Sequence, residues 1–179
     1  MKGVEVMKSN YIVRAMKFLN EFLPYMDGCA SPSDYQLMAD MFCDDHKGRR
    51  VLCCYGIARV AIITSDYVVK FDYDKGACDY YGGCEDEVKF YDFAVREGFS
   101  RMFAEITHVS VGGRDFYIMP RVKGIMRHAG HYAQEFFFGE ELDFINEYLS
   151  DLHDENYGWV NNRPVIFDYA MNCFTEERR

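Results

Sequence analysis

Three β-prone apolar runs follow one another with almost nothing between them: Val51-Leu52-Cys53-Cys54-Tyr55, Arg59-Val60-Ala61-Ile62-Ile63-Thr64 and Tyr67-Val68-Val69-Lys70-Phe71. Residues 56–58 join the first two, and Ser65-Asp66 makes a tight turn into the third. Connections this short predict an antiparallel meander, because parallel pairing needs a crossover of about a dozen residues or more. Any fold for this chain has to be built around that sheet.

The rest of the chain supplies elements to pack on it. After a glycine-containing loop from Lys75 to Gly83, the spacing predicts a helix over 84–97. Its expected inner face is Val88, Tyr91, Ala94 and Val95, with Glu87 at the edge of that face. Strands resume over 104–111 and 115–119, joined by a hairpin at Gly112-Gly113. A last helix is expected over 140–149. Upstream, Ser9 is read as the cap of a helix over 10–24, carrying Ile12, Ala15, Met16, Leu19 and Leu23 at helical spacing. Ser33 or Asp34 starts a second helix through Leu37, Met38, Met41 and Phe42. The order predicts an α+β fold: a helical extension over 1–48, then a sheet-bearing segment over 49–122 and a shorter segment over 123–179.

Composition narrows the function classes. At 179 residues, 49% of them apolar, the chain is long enough to bury a core. A net charge of −9 with no long basic run argues against binding nucleic acid through a broad cationic face. No apolar run reaches the roughly 18–20 residues of a membrane span, and Met1-Lys2-Gly3-Val4-Glu5 lacks the apolar segment of a signal peptide. Seven cysteines, two of them adjacent at 53 and 54, are read as reduced, buried thiols in a cytoplasmic protein. Cys78, Cys84, His128 and His131 match no zinc spacing. Phe136-Phe137-Phe138 is read as packing, in the core or at an interface.

Chemistry concentrates near the C-terminus. Asp151-Leu152-His153-Asp154-Glu155-Asn156 is followed by Val165-Ile166-Phe167-Asp168-Tyr169. Between them, Tyr157–Val160 and Pro164–Phe167 predict a small hairpin around Asn161-Asn162, which would set Asn156 and Asp168 side by side. An amide and a carboxylate converging there suit magnesium's preference for oxygen ligands.

The run resembles the Asp-Leu-His-x-x-Asn signature of aminoglycoside and choline kinase-like phosphotransferases. The resemblance, over roughly Val51 to Ala170, implies a two-lobed protein kinase-like fold with a minimal second lobe. It implies ATP and Mg²⁺ as cofactors, with Asp151 orienting or deprotonating an acceptor hydroxyl and Asn156 and Asp168 holding metal. Lys70 then stands where such enzymes have the third-strand lysine that contacts phosphates. Glu87 is preferred over Glu85 as its partner on the following helix. Gly56, in Tyr55-Gly56-Ile57-Ala58-Arg59, occupies the place of the phosphate-covering loop, though only Gly56 and Ala58 are small. Met119 lies at the adenine-recognising hinge, where Pro120 has no N–H to donate. His153 is expected to hold the loop. Compact chains of this kind are similar to phage and bacterial proteins. Two other readings stay open: an inactive kinase-like scaffold that binds and inhibits a host protein, and a nucleotidyl transferase with ATP in a reversed pose.

Overall fold

The computed structural model describes residues 2–56, 58–73, 83–124, 135–150 and 152–170. The fold is α+β, with four α-helices and a five-stranded antiparallel sheet among the described residues. The chain divides into two compact units, Met1–Tyr80 with Thr107–Arg121, and Tyr81–Ile106 with Val122–Arg179.

In the first unit, helices α1 (Lys2–Phe22) and α2 (Pro32–Asp45) precede the strands β1 (Leu52–Tyr55), β2 (Arg59–Ile63), β3 (Tyr67–Asp72), β4 (Thr107–Val111) and β5 (Arg114–Pro120). The meander forms as expected, and the sheet order is β1-β2-β3-β5-β4, antiparallel throughout. Gly112 and Gly113 turn the last hairpin with φ of 61° and 76°. A side chain at 112 would also meet Leu23 Cδ1 at 2.8 Å, a flexible side-chain end that can move aside, so the positive φ is what favours glycine there.

Strand alternation gives this sheet two unlike faces. Val60, Ile62, Val69, Phe71, Phe116 and Ile118 share one buried core with Ala15, Phe18, Leu19 and Phe22 of α1 and with Tyr35, Met38, Ala39 and Phe42 of α2. Phe42 is central: its ring meets Phe18 and Phe22 edge-on at centroid distances of 5.0 Å. Truncating so well-packed a phenyl ring costs about 3–5 kcal/mol. The two N-terminal helices are therefore part of the sheet's own core. Lys70, in register with Ala61 and Tyr117, lies on the opposite face.

Several local expectations shift. α1 begins at Lys2, so Ser9 falls inside the helix rather than capping it. α2 is capped by Ser31, not Ser33 or Asp34; Ser31 accepts from the Asp34 N–H, and the Asp34 carboxylate accepts from the Ser31 N–H at 2.8 Å. Pro32 fits the first turn because its missing N–H has no intrahelical partner to lose. Strand β4 starts at Thr107 rather than 104, after a 3₁₀ turn over Ser100–Met102. Cys43 on α2 and Cys53 on β1 form a disulfide and Cys54 is exposed, which overturns the reading of uniformly reduced, buried thiols. Packing of α2 on β1 brings the two together, and a cysteine count carries no such information.

The second unit holds α3 (Cys84–Arg96), α4 (Glu140–Tyr148) and the hairpin β6 (Tyr157–Val160) and β7 (Arg163–Ile166). Glu85, Asp86 and Glu87 occupy the first turn of α3, where its dipole favours negative charge, and the Asp86 carboxylate accepts from the Gly83 N–H. The buried face of α3 is Cys84, Glu87, Phe90, Phe93 and Ala94, rotated from the expected one; Val95 is 50% exposed. Aromatic contacts set that rotation. Phe90 packs on Phe103, Phe144 and Tyr169, and Phe93 stacks on Phe144. Among the described residues, no helix is long and apolar enough to cross a membrane.

Candidate functional site

The site is built on the β6–β7 hairpin. Asn161 and Asn162 take φ of 51° and 61°, the left-handed pair that a two-residue turn matching strand twist demands. Tyr157 pairs with Ile166 at the open end of the hairpin. One residue further out, the Phe167 N–H donates to the Asn156 carbonyl at 2.8 Å, so the chain on either side stays together.

A 3₁₀ turn over Asp154–Asn156 then aims the Asn156 side chain. The Asn156 N–H donates to the His153 carbonyl, and Asn156 Oδ1 accepts from the His153 N–H at 2.8 Å. Asn156 Nδ2 donates to the Asp168 carbonyl at 3.4 Å. These bonds orient the amide and leave Oδ1 a second lone pair. His153 thus supports the loop through its backbone.

Asp168 has φ of 62°, a left-handed conformation that costs most L-residues about 1–2 kcal/mol. Its neighbours hold it there. Behind it stands the Phe167–Asn156 bond; ahead, Tyr169 is 1% exposed and its hydroxyl donates to the Ala104 carbonyl at 2.7 Å. Burial pushes the Tyr169 phenol well above its ordinary range, and the charges of Glu87 and then Tyr91 push the same way. Backbone strain fixed on both sides is the kind found where a side chain must be presented rather than packed. Asp168 is partly buried, and the Asn156 amide reaches its backbone carbonyl through nitrogen while its oxygen faces the His153 N–H. An amide and a carboxylate are the hard-oxygen groups that magnesium prefers.

The expected site residues divide between the units. Asn156 and Asp168 are brought together by the hairpin, and Asp151 lies outside the described residues. Glu87, also in the second unit, is fully buried, and in the first unit Lys70 is 5% exposed. Each makes interactions in the structure, as a buried charge must. Gly56 is exposed, and its N–H donates to the Arg59 carbonyl at 2.8 Å, closing the β1–β2 turn instead of pointing into open space. Met119 is 1% exposed and sits opposite Val68. His128 and His131 lie outside the described residues. Among the described residues, no cluster of three or more His, Cys, Asp or Glu is placed to hold a metal. Phe137 is buried, Phe136 packs edge-on against Trp159, and Phe138 is 66% exposed.

Two supports escaped sequence reasoning: the Tyr169–Ala104 bond and the packing of Tyr169 on Phe90. An aromatic directly after Asp168 was the available signal, but only the fold supplies its partners. Compared with protein-family models and with curated proteins, the chain finds no match.

Proposed function

We propose that this protein is an ATP- and Mg²⁺-dependent phosphotransferase of kinase-like, two-lobed fold, working in the cytoplasm on a protein or small-molecule hydroxyl. The observation that carries the reading is the pairing of Asn156 with a left-handed Asp168 on one hairpin. In this reading Asn156 and Asp168 hold the metal, and Asp151 orients or deprotonates the acceptor. Lys70, braced by Glu87, positions the phosphates, with Gly56 and Met119 beside the nucleotide. Magnesium there would neutralise phosphate charge, and catalysis is otherwise positioning. ATP places the reaction in a nucleotide-bearing compartment; the Cys43–Cys53 bond is the one observation pulling the other way.

Asp168→Asn tests the proposal, since asparagine tolerates the left-handed conformation but removes the charge. ATP consumption should vanish while thermal stability stays near that of the wild type; equal activity in the two proteins sinks the idea. The bracing of Lys70 by Glu87 is tested separately by a double-mutant cycle with Lys70→Met and Glu87→Leu. A coupling of about 0.5–3 kcal/mol is expected, and simple additivity removes that part of the scheme.

The engaged Gly56 amide favours a second reading, a catalytically weak kinase-like scaffold that binds and inhibits a host protein. Thermal shift decides between the two: a nucleotide that binds only the folded chain must raise its apparent stability. No shift with millimolar ATP and magnesium favours the scaffold.

A further inference from the structure

Away from the hairpin, the N-terminal helices carry an apolar groove of about 500 Å³, lined by Pro24, Tyr25, Cys29, Leu37, Met38 and Met41. Its size lies within the range of recognition pockets, about 300–1,000 Å³. Leu37 and Met41, one turn apart on α2, are 62% and 54% exposed, although the same helix buries Tyr35, Met38, Ala39 and Phe42. Helix α2 thus has a second apolar stripe that the core does not use. Methionine is a flexible, polarisable surface for taking up apolar side chains of varied shape.

The groove is also held in shape. The Cys43–Cys53 disulfide ties α2 to β1, and the Tyr55 hydroxyl bonds the Asp40 carboxylate and the Gln36 carbonyl. On the other wall, the Tyr25 hydroxyl donates to Asp45 at 2.7 Å.

Charge identifies the occupant. Residues 18–46 contain six carboxylates and no lysine or arginine; Glu21 pairs with Arg49 and Asp44 with Lys47 from just beyond that stretch, and Asp27, Asp34, Asp40 and Asp45 are the other four. Asp27 and Asp34 line the groove itself. Along α2 the helical spacing runs Asp34, Leu37, Met41, then Asp45, so an acid stands at each end of the apolar pair, with Asp44 beside it paired to Lys47 at 3.1 Å. An apolar slot between carboxylates complements an amphipathic helix with apolar anchors at i and i+4 and basic residues beyond them. It repels an anionic lipid surface or a nucleic acid.

We infer that this groove docks a basic amphipathic helix of a partner protein. The inference stands on the groove alone and does not depend on phosphotransfer.

The test uses the full chain and a fluorescent peptide of leucine and lysine only, patterned as an amphipathic helix. A scrambled peptide of the same composition is the control. Fluorescence anisotropy should show the patterned peptide binding, with affinity falling at least tenfold for the scramble and for the double variant Leu37→Glu, Met41→Glu. Both substituted side chains are exposed, so circular dichroism should report an unchanged fold. The variant is more acidic than the wild type, so attraction by net charge alone would tighten binding; that result overturns the inference. Equal affinity for the scramble overturns it too, as does absence of binding. Sedimentation velocity showing that the wild type self-associates through this face while the variant does not would assign the groove to a second copy, and would equally end the proposal.

Discussion

The Asn156 side-chain amide donates to the backbone carbonyl of Asp168, twelve residues away and across a hairpin. The bond acts on the residue whose φ of 62° is costly, so the amide helps hold a conformation the chain would otherwise leave. Stability at 168 should then rank by tolerance of that conformation. Asp168→Gly is expected to match or exceed the wild type, and Asp168→Ala to fall about 1 kcal/mol below the glycine variant in urea titrations. Asn156→Ala should weaken the same element. Equal stability of the alanine and glycine variants would show that residue 168 is not held left-handed.

Gly158 makes a second test of the hairpin. Its neighbour Trp159 exchanges two backbone bonds with Lys123, of 2.8 and 3.0 Å. A methyl group at 158 would run into Val122 Cγ1 and stand 3.0 Å from the Lys123 carbonyl. Backbone cannot yield as a flexible side chain can. Gly158→Ala should therefore cost about 1–3 kcal/mol in equilibrium unfolding. Trp159, the only tryptophan of the chain, reports the displacement directly by fluorescence. An unchanged emission spectrum and an unchanged midpoint would refute the close approach.

What the sequence disclosed follows physical range. The meander and the Asn161-Asn162 hairpin were legible because strand alternation and turn chemistry act within a few residues. The pairing of Asn156 with Asp168 followed from that hairpin. Helix α3 was found, but its face was misjudged, since Phe90 and Phe93 choose their side by meeting Phe103 and Phe144, which are distant in sequence. The cap of α2 was missed by two or three residues because Ser31, Ser33 and Asp34 all suit a cap, and Pro32 at the first helical position decides among them. The role of the N-terminal helices in the sheet core was equally hidden. Phe18, Phe22 and Phe42 are periodic in sequence, but nothing local says which surface receives them.

The Cys43–Cys53 bond joins α2 to β1 across a sequence separation of 10. Closing a loop of that size stabilises by about 2–3 kcal/mol in the chain-entropy account. Reduction, or Cys53→Ser, should lower the unfolding free energy by roughly that amount. The exposed Cys54 should label with a thiol reagent in either state. Quantitative labelling of Cys43 and Cys53 in the folded, unreduced protein would exclude the bond.

Alkali probes the tyrosines. Burial pushes the Tyr67 phenol up to about 12, against a lesser lowering by Arg14. Burial first and Glu105 second push Tyr91 to about 12, and full burial raises Tyr169 well above its ordinary range. A phenol whose folded pKa is raised keeps its proton after the unfolded chain has lost it. The stability it contributes is complete below the unfolded value of about 10 and is lost as pH rises through the folded value. Unfolding free energy should hold steady up to about pH 10 and fall beyond it, with phenolate absorbance from these groups appearing together with unfolding. Growing negative charge on a chain already at −9 acts in the same direction. Tyr169→Phe separates the two effects. It strands the Ala104 carbonyl, costing about 1–3 kcal/mol at neutral pH, and removes one proton from the alkaline slope. A slope identical in wild type and Tyr169→Phe would mean that Tyr169 titrates normally and is not sealed behind Asp168.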